Sequence, residues 1–144
     1  MKPRILLAED NAGDVYFIRR ALDKHLKTYD LEVVSDGREA LSLLYQMDSD
    51  ALPAPDVVLL DLNLPGVHGS KLLAYLKASI RLTRVPVIVS TSSDAPSDRA
   101  DVARRGASYF KKPIDVSAFM KIGELVVHTL EQAGRPGGDH AAIA

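Results

Sequence analysis

The 144-residue chain contains no cysteine, which excludes disulfides, thiolate metal sites and a cysteine nucleophile. It lacks an excess of either charge. With 18 basic and 19 acidic residues its formal net charge is −1, so no basic field favours nucleic acid. No apolar run approaches the length of a membrane span. The N-terminus (Met1-Lys2-Pro3-Arg4-Ile5-Leu6-Leu7-Ala8-Glu9) reaches acid too soon for a secretory signal peptide. The expectation is a cytoplasmic protein with no membrane or nucleic-acid partner. No internal repeat is visible, and the length suits one domain. What is present, 47% hydrophobic and 26% charged residues, is a globular balance with apolar material for one core.

Short apolar runs alternate with longer amphipathic segments. Ile5-Leu6-Leu7-Ala8, Leu31-Glu32-Val33-Val34, Val57-Val58-Leu59-Leu60, Val85 to Ser90 and Ser108-Tyr109-Phe110-Lys111 read as strands. Between them, Val15, Ile18, Leu22 and Leu26 share one helical face. A second helix, Arg38 to Met47, turns Leu41, Leu44 and Tyr45 inward, and a third, Lys71 to Ser79, carries Leu72, Leu73 and Leu76. Ser97 to Arg105 makes a polar helix stopped by Gly106. Val116 to Glu131 makes a final one. Five β-α units with continuously apolar central strands predict an α/β fold, a parallel sheet covered by helices on both faces. Residues 1–132 form this domain. Residues 133–144, with Gly, Ala and Pro and no periodicity, read as a flexible tail.

In an open α/β sheet, ligands bind beyond the carboxyl ends of the strands. Glu9 and Asp10 follow the first strand. Asp61 follows the third, with Leu62-Asn63-Leu64-Pro65-Gly66 behind it. Thr91, Ser92 and Ser93 follow the fourth, and Lys112-Pro113 the fifth. Singly these are ordinary: a loop Asp caps a helix or forms a turn, and a lone Lys is a solvated charge. Together they are not. In the commonest five-strand winding the first and third strands are neighbours, so Glu9, Asp10 and Asp61 would share a small volume. Carboxylates that close repel unless a cation joins them. Lys112 supplies one positive charge, and an all-oxygen site with few carboxylates suits Mg²⁺ for the rest.

Glu9-Asp10, Asp61, Thr91 and Lys112-Pro113, in this order and at these strand ends, resemble the receiver domain of two-component response regulators. The likeness runs from about Arg4 to Leu130. It implies a doubly wound (βα)5 flavodoxin-like fold with strand order 2-1-3-4-5. It also implies that Asp61 is a phosphoacceptor forming an acyl phosphate. Asp10, Asp61 and the backbone carbonyl of Asn63 would bind Mg²⁺, with Glu9 acting through a metal-bound water. Lys112 would pair with a phosphoryl oxygen, and its bond to Pro113 resembles the family's cis peptide. Thr91 and Tyr109 match the switch hydroxyl and switch aromatic. Without the family, Tyr109 would be an ordinary strand aromatic. Ser92 is small, as donor access requires, and Ser93 carries no firm role.

Outside these positions, His25, His68, His128 and His140 are scattered without metal-ligand spacing. They read as surface residues, and none as the phosphorylated histidine of a transfer domain. Met47 and Met120 read as packing residues.

The Glu-Asp pair, the stretch Asp61-Leu62-Asn63-Leu64-Pro65 and the loop from Asp48 to Pro55 look most like single-domain regulators paired with bacterial phytochromes and related sensor histidine kinases. In the last helix, Phe119, Ile122 and Val126 make a sheet-facing stripe that Val116, Met120, Val127 and Leu130 widen beyond one buried face. The surplus suggests a two-fold homodimer through the fourth helix, fifth strand and fifth helix.

Rival functions fit less well. A dehalogenase-like phosphatase would need an acid two residues beyond Asp61, where Asn63 stands. A flavin carrier would need hydroxyls and glycines after the first strand, where Glu9 and Asp10 would repel a phosphate. A phosphorylation-independent pseudo-receiver, a binding module, would lack one of these residues, and all are present.

Overall fold

Parallel pairing of the short apolar runs builds the sheet of the computed structural model, which describes residues 2–134. β1 (Arg4–Ala8) lies between β2 (Asp30–Val34) and β3 (Val57–Leu60). β3 pairs in turn with β4 (Val87–Thr91), and β4 with β5 (Ser108–Lys111). The strand order is 2-1-3-4-5 and every pairing is parallel, the doubly wound α/β fold expected. The helices are α1 (Ala12–His25), α2 (Gly37–Asp48), α3 (Gly69–Ala78), α4 (Pro96–Arg104), α5 (Val116–Phe119) and α6 (Ile122–Gln132).

Alternation along each strand divides the core in two. Ile5, Leu7, Val57, Leu59 and Ile88 point toward α1, α5 and α6, among Ile18, Leu22, Phe119, Ile122 and Val126. Leu6, Ala8, Val58, Leu60, Val87 and Val89 point the other way, among Leu44, Leu72, Leu76 and Val102 of α2, α3 and α4. β1, β3 and β4 are therefore apolar on both faces, which is why they read as unbroken hydrophobic runs.

The structure corrects three local expectations. Tyr45 is exposed, and its ring meets Tyr75 edge-on with centroids 5.1 Å apart. The single final helix is two, because the chain tightens where Lys121 N–H bonds the Ala118 carbonyl and Gly123 N–H the Met120 carbonyl, three residues back, at 3.2 Å each. Beyond this turn α6 lies so close to α1 that a Cβ on Gly123 would sit 2.6 Å from the Ala21 carbonyl oxygen. Val127 and Leu130 are consequently buried in the same core as Phe119, Ile122 and Val126, and only Val116 of the widened stripe is exposed. The apolar surplus assigned to a dimer is thus mostly consumed within the subunit. The proposed tail, 133–144, lies outside the described residues apart from Ala133 and Gly134.

Candidate functional site

Each strand of the sheet's centre delivers a polar residue as its ladder ends. Glu9 N–H bonds the Val34 carbonyl at 2.9 Å and Asp61 N–H the Ala8 carbonyl at 3.0 Å, so Glu9 and Asp61 stand side by side past β1 and β3. Lys112 N–H bonds the Thr91 carbonyl at 2.9 Å, which carries the β5 ladder one residue further and aims the lysine inward. Every peptide bond among the described residues is trans, Lys112–Pro113 included, in contrast to the expected cis bond. The inward aim comes from this strand extension.

The loop behind Asp61 is anchored by its own hydrophobics, Leu62 and Leu64, both buried beside α2 and α3. It then turns through Gly66 at a φ of 87°, a conformation that side chains disfavour. α3 begins directly against it. A Cβ on Gly69 would lie 2.4 Å from the Asp61 carbonyl oxygen, so only glycine permits this approach. Gly69 N–H then bonds the Leu62 carbonyl at 2.9 Å. His68 caps α3, accepting the Ser70 N–H on Nδ1 at 3.1 Å.

The side chains converge on one ammonium. Lys112 Nζ donates to Glu9 Oε1 at 2.6 Å, Asp14 Oδ2 at 2.8 Å and Asp61 Oδ2 at 2.9 Å. The other Asp61 oxygen accepts the Asn63 N–H at 3.0 Å. The other Glu9 oxygen accepts the Asn11 N–H at 3.1 Å. Asp10 is exposed at the rim, and one oxygen from each of Glu9, Asp10 and Asp61 lies within 4.8 Å of the others.

Electrostatics separate the two buried acids. Burial pushes the Glu9 carboxyl up to about 7, and the hydrogen bond and charge of Lys112 only partly offset it. Burial acts on Asp61 in the same direction, but the Asn63 N–H and Lys112 more than offset it and hold this carboxyl below its ordinary range. For Lys112, burial favours the neutral amine. The hydrogen bonds to Asp14, Glu9 and Asp61 overcome this and raise it above its ordinary value. Asp61 is therefore an anionic oxygen held in place, the state a nucleophile needs. One lysine faces three carboxylates, with Asp10 close to two of them, and the donors are all hard oxygens. The residues present fit a hard divalent cation.

These features complete a pattern of chemistry at strand ends. The chain matches the response regulator receiver domain over residues 5–123. It belongs to that family.

Among relatives, the receiver is 38% identical over 111 residues to the "Probable methanogenesis regulatory protein FilR2" of Methanothrix harundinacea, covering 76% of this chain and 72% of that one. It superposes on the phosphorylated cyanobacterial phytochrome response regulator RcpA with a TM-score of 0.82 and 30% identity, over 92% of this chain and 96% of that one. The Mn²⁺-bound form of response regulator Rcp1 gives 0.78 and 29%, over 86% and 91%. The receiver is thus a two-component signalling domain, in a family that partners with histidine kinases and binds divalent metal.

A second group of residues lies on the α4 side of the sheet. Thr91, fully buried, accepts the Ser93 N–H on Oγ1 at 3.2 Å. The Tyr109 hydroxyl donates to the Ser93 carbonyl, and the Arg99 guanidinium lies over the Tyr109 ring at 4.4 Å. The Ser93 hydroxyl donates to Asp98 of α4 at 2.6 Å. Ser93, which sequence reasoning left without a role, therefore touches Thr91, Tyr109 and α4 at once.

Sequence reasoning also missed Asp14 on the lysine. Its signal was present: an Asn-x-x-Asp start to α1 four residues beyond Asp10. Arg99 over Tyr109 left no such signal, because an arginine on a polar helix has many options. No helix among the described residues is long and apolar enough to cross a membrane.

Proposed function

We propose that the receiver is a phosphorylation switch that accepts a phosphoryl group on Asp61 from the phosphohistidine of a sensor histidine kinase. The observation that carries this reading is the Lys112 ammonium bonded to both Glu9 and Asp61, with Asp10 closing an oxygen cluster beside it. An Asp61 carboxylate oxygen attacks phosphorus as the bond from phosphorus to the donor breaks, and the bonding electrons leave with the donor. Asp10, Asp61 and the Asn63 carbonyl would hold Mg²⁺, with Glu9 acting through an intervening water. When bound, Mg²⁺ supplies the positive charge that lets an anionic donor approach this carboxylate. Lys112 holds another phosphoryl oxygen, and exposed Ser92 leaves the approach open. The same residues promote hydrolysis of the acyl phosphate.

Signalling follows through Thr91 and Tyr109. The Thr91 hydroxyl gives up the hydrogen bond it accepts from the Ser93 N–H to meet the phosphoryl group, and Tyr109 turns inward behind it. α4, β5 and the adjoining α5 face repack. A phosphoryl group adds up to about two negative charges, enough to bias two packings of a weakly held face. Similarity to RcpA, a phytochrome response regulator, supports a bacterial phytochrome as the kinase, and the proposed site of action is the cytoplasm. A two-fold homodimer through α4, β5 and the final helical segment, α5 with α6, stays within the proposal on the exposure of Ile114 and Val116 beside β5. Sedimentation as monomer alone, with and without phosphorylation, removes it.

The deciding experiment incubates the protein with a small acyl-phosphate donor and Mg²⁺ and follows intact mass. The expected result is a phosphoryl gain that requires Mg²⁺ and is absent in Asp61→Asn. No gain in wild type, together with no beryllofluoride binding, makes the chain a phosphorylation-independent pseudo-receiver. Gain in Asp61→Asn shows another nucleophile.

A further inference from the structure

Lys112 is held by one more carboxylate than the proposed chemistry uses. An ammonium has three protons to donate. Glu9, Asp14 and Asp61 take one each, at 2.6, 2.8 and 2.9 Å. Glu9 and Asp61 belong to the oxygen cluster; Asp14 does not. Asp14 enters from the first turn of α1, where its own N–H bonds the Asn11 side chain at 3.0 Å. Because the Asn11 N–H bonds Glu9, a single turn sets both carboxylates against the lysine. The Asp14 side chain is 23% exposed, against 1% for Glu9 and 7% for Asp61, so it reaches the ammonium from the solvent side.

This arrangement poses a problem of exchange. Lys112 cannot donate to a phosphoryl oxygen while three carboxylates hold its protons. Two of those acceptors change when the site is loaded. Glu9 and Asp61 would turn oxygens toward a divalent cation, and phosphorylation would make an Asp61 oxygen part of the acyl phosphate. A lysine released from both would regain the freedom of a long flexible stem. Asp14 is the acceptor left in place. We propose that Asp14 is a positioning residue for Lys112, keeping its ammonium beside Asp61 while the bonds to Glu9 and Asp61 are exchanged for a phosphoryl oxygen.

This inference rests on the phosphoacceptor reading. It differs from a mere acid at a helix N-terminus, which would affect α1 stability and nothing at Lys112.

The test uses the full chain as wild type, Asp14→Asn and Asp14→Ala. The amide of Asn still offers an oxygen to the lysine and keeps the variant informative if alanine unsettles α1. Beryllofluoride serves as the phosphoryl mimic in saturating Mg²⁺, with affinities read by calorimetry. Asp14→Ala is expected to bind beryllofluoride about tenfold more weakly, the size of one lost charge-assisted hydrogen bond, and Asp14→Asn to lie between. Mg²⁺ affinity should stay within about threefold, the screened effect of one partly exposed charge.

A second readout needs no phosphoryl chemistry. In metal-free buffer an amine-acetylating ester should label Lys112 faster in Asp14→Ala than in wild type, as read by peptide mass. Unchanged beryllofluoride affinity, or a parallel loss of Mg²⁺ affinity, overturns the proposal. So does unchanged labelling of Lys112. Failure of wild type itself to bind beryllofluoride overturns the phosphoacceptor reading instead, and the labelling rates still report whether Asp14 holds the lysine.

Discussion

α4 and α6 lie on opposite faces of the sheet and are similar in length, yet they are attached by different physics. α6 buries Ile122, Gly123, Val126, Val127 and Leu130, all but Gly123 in the same core as Phe119, and closes directly on α1. α4 buries only Val102. Its remaining ties are polar: Ser93 to Asp98, Arg99 to Asp94 at 3.2 Å, and Arg99 over Tyr109. Its N-terminus has Pro96 in the first turn and no side-chain cap. Buried apolar area is lost whenever a helix moves, whereas exposed polar contacts exchange for water at little net cost. The difference makes α6 the better anchored of the two and leaves α4 the freer to repack in the proposed switch. On the function proposed above, a phosphoryl group on Asp61, next to Thr91 and Lys112, would perturb the side that can yield.

The comparison breaks first at the anchor. Ile122→Ala should lower stability by about 2–5 kcal/mol in urea unfolding, the range for emptying a well-packed core site. A loss comparable to that of an exposed α4 substitution would show that α6 is no firmer than α4.

A smaller effect sharpens the other side. Arg99→Ala should change global stability by no more than about 1 kcal/mol, since an exposed cation–π contact and one surface ion pair are all it removes. Amide exchange in α4 should nevertheless quicken, and the Tyr109 ring resonances should shift toward those of the phosphorylated protein. Unaltered exchange would mean that Arg99 does not hold Tyr109 outward.

The smallest effect lies at the far ends of α2 and α3, where neither anchoring core nor switch is involved. There Asp48 accepts the Tyr75 hydroxyl at 2.8 Å and the Ser79 hydroxyl. The Ser79 and Tyr75 hydrogen bonds hold the Asp48 carboxyl below its ordinary value of 3.8. A group depressed on folding contributes stability that is complete above its unfolded value and is lost as pH falls through its folded one. Asp48→Asn should therefore flatten the acid limb of the stability profile and leave neutral-pH phosphorylation unchanged. An identical acid limb in the variant would place the depression elsewhere.

Much of this molecule is legible in one dimension. Strands buried on both faces must be apolar throughout, so β1, β3 and β4 declare themselves as unbroken runs. The helical faces of α1 and α3 follow from a period of 3.6. Polar residues that interrupt the runs at their carboxyl ends, Glu9, Asp10, Asp61, Thr91 and Lys112, stand out for the same reason. The final helix was misjudged because its hydrophobic period continues across Met120 and Lys121, where the backbone shifts to tighter bonds. Tyr45 was misplaced because a tyrosine on an amphipathic helix satisfies either environment.

The sequence by itself determined the strands, the two apolar layers and the residues that end each strand, because local periodicity and burial leave little choice there. Only the tertiary structure decided which of those residues touch. Asp14 and Lys112 are separated by most of the chain yet lie 2.8 Å apart, and Tyr109 meets Arg99 and Ser93 from three different segments. Such contacts depend on where parallel pairing sets each strand and how closely each helix approaches it, and a long polar side chain carries no trace in its own sequence of the partner it will find.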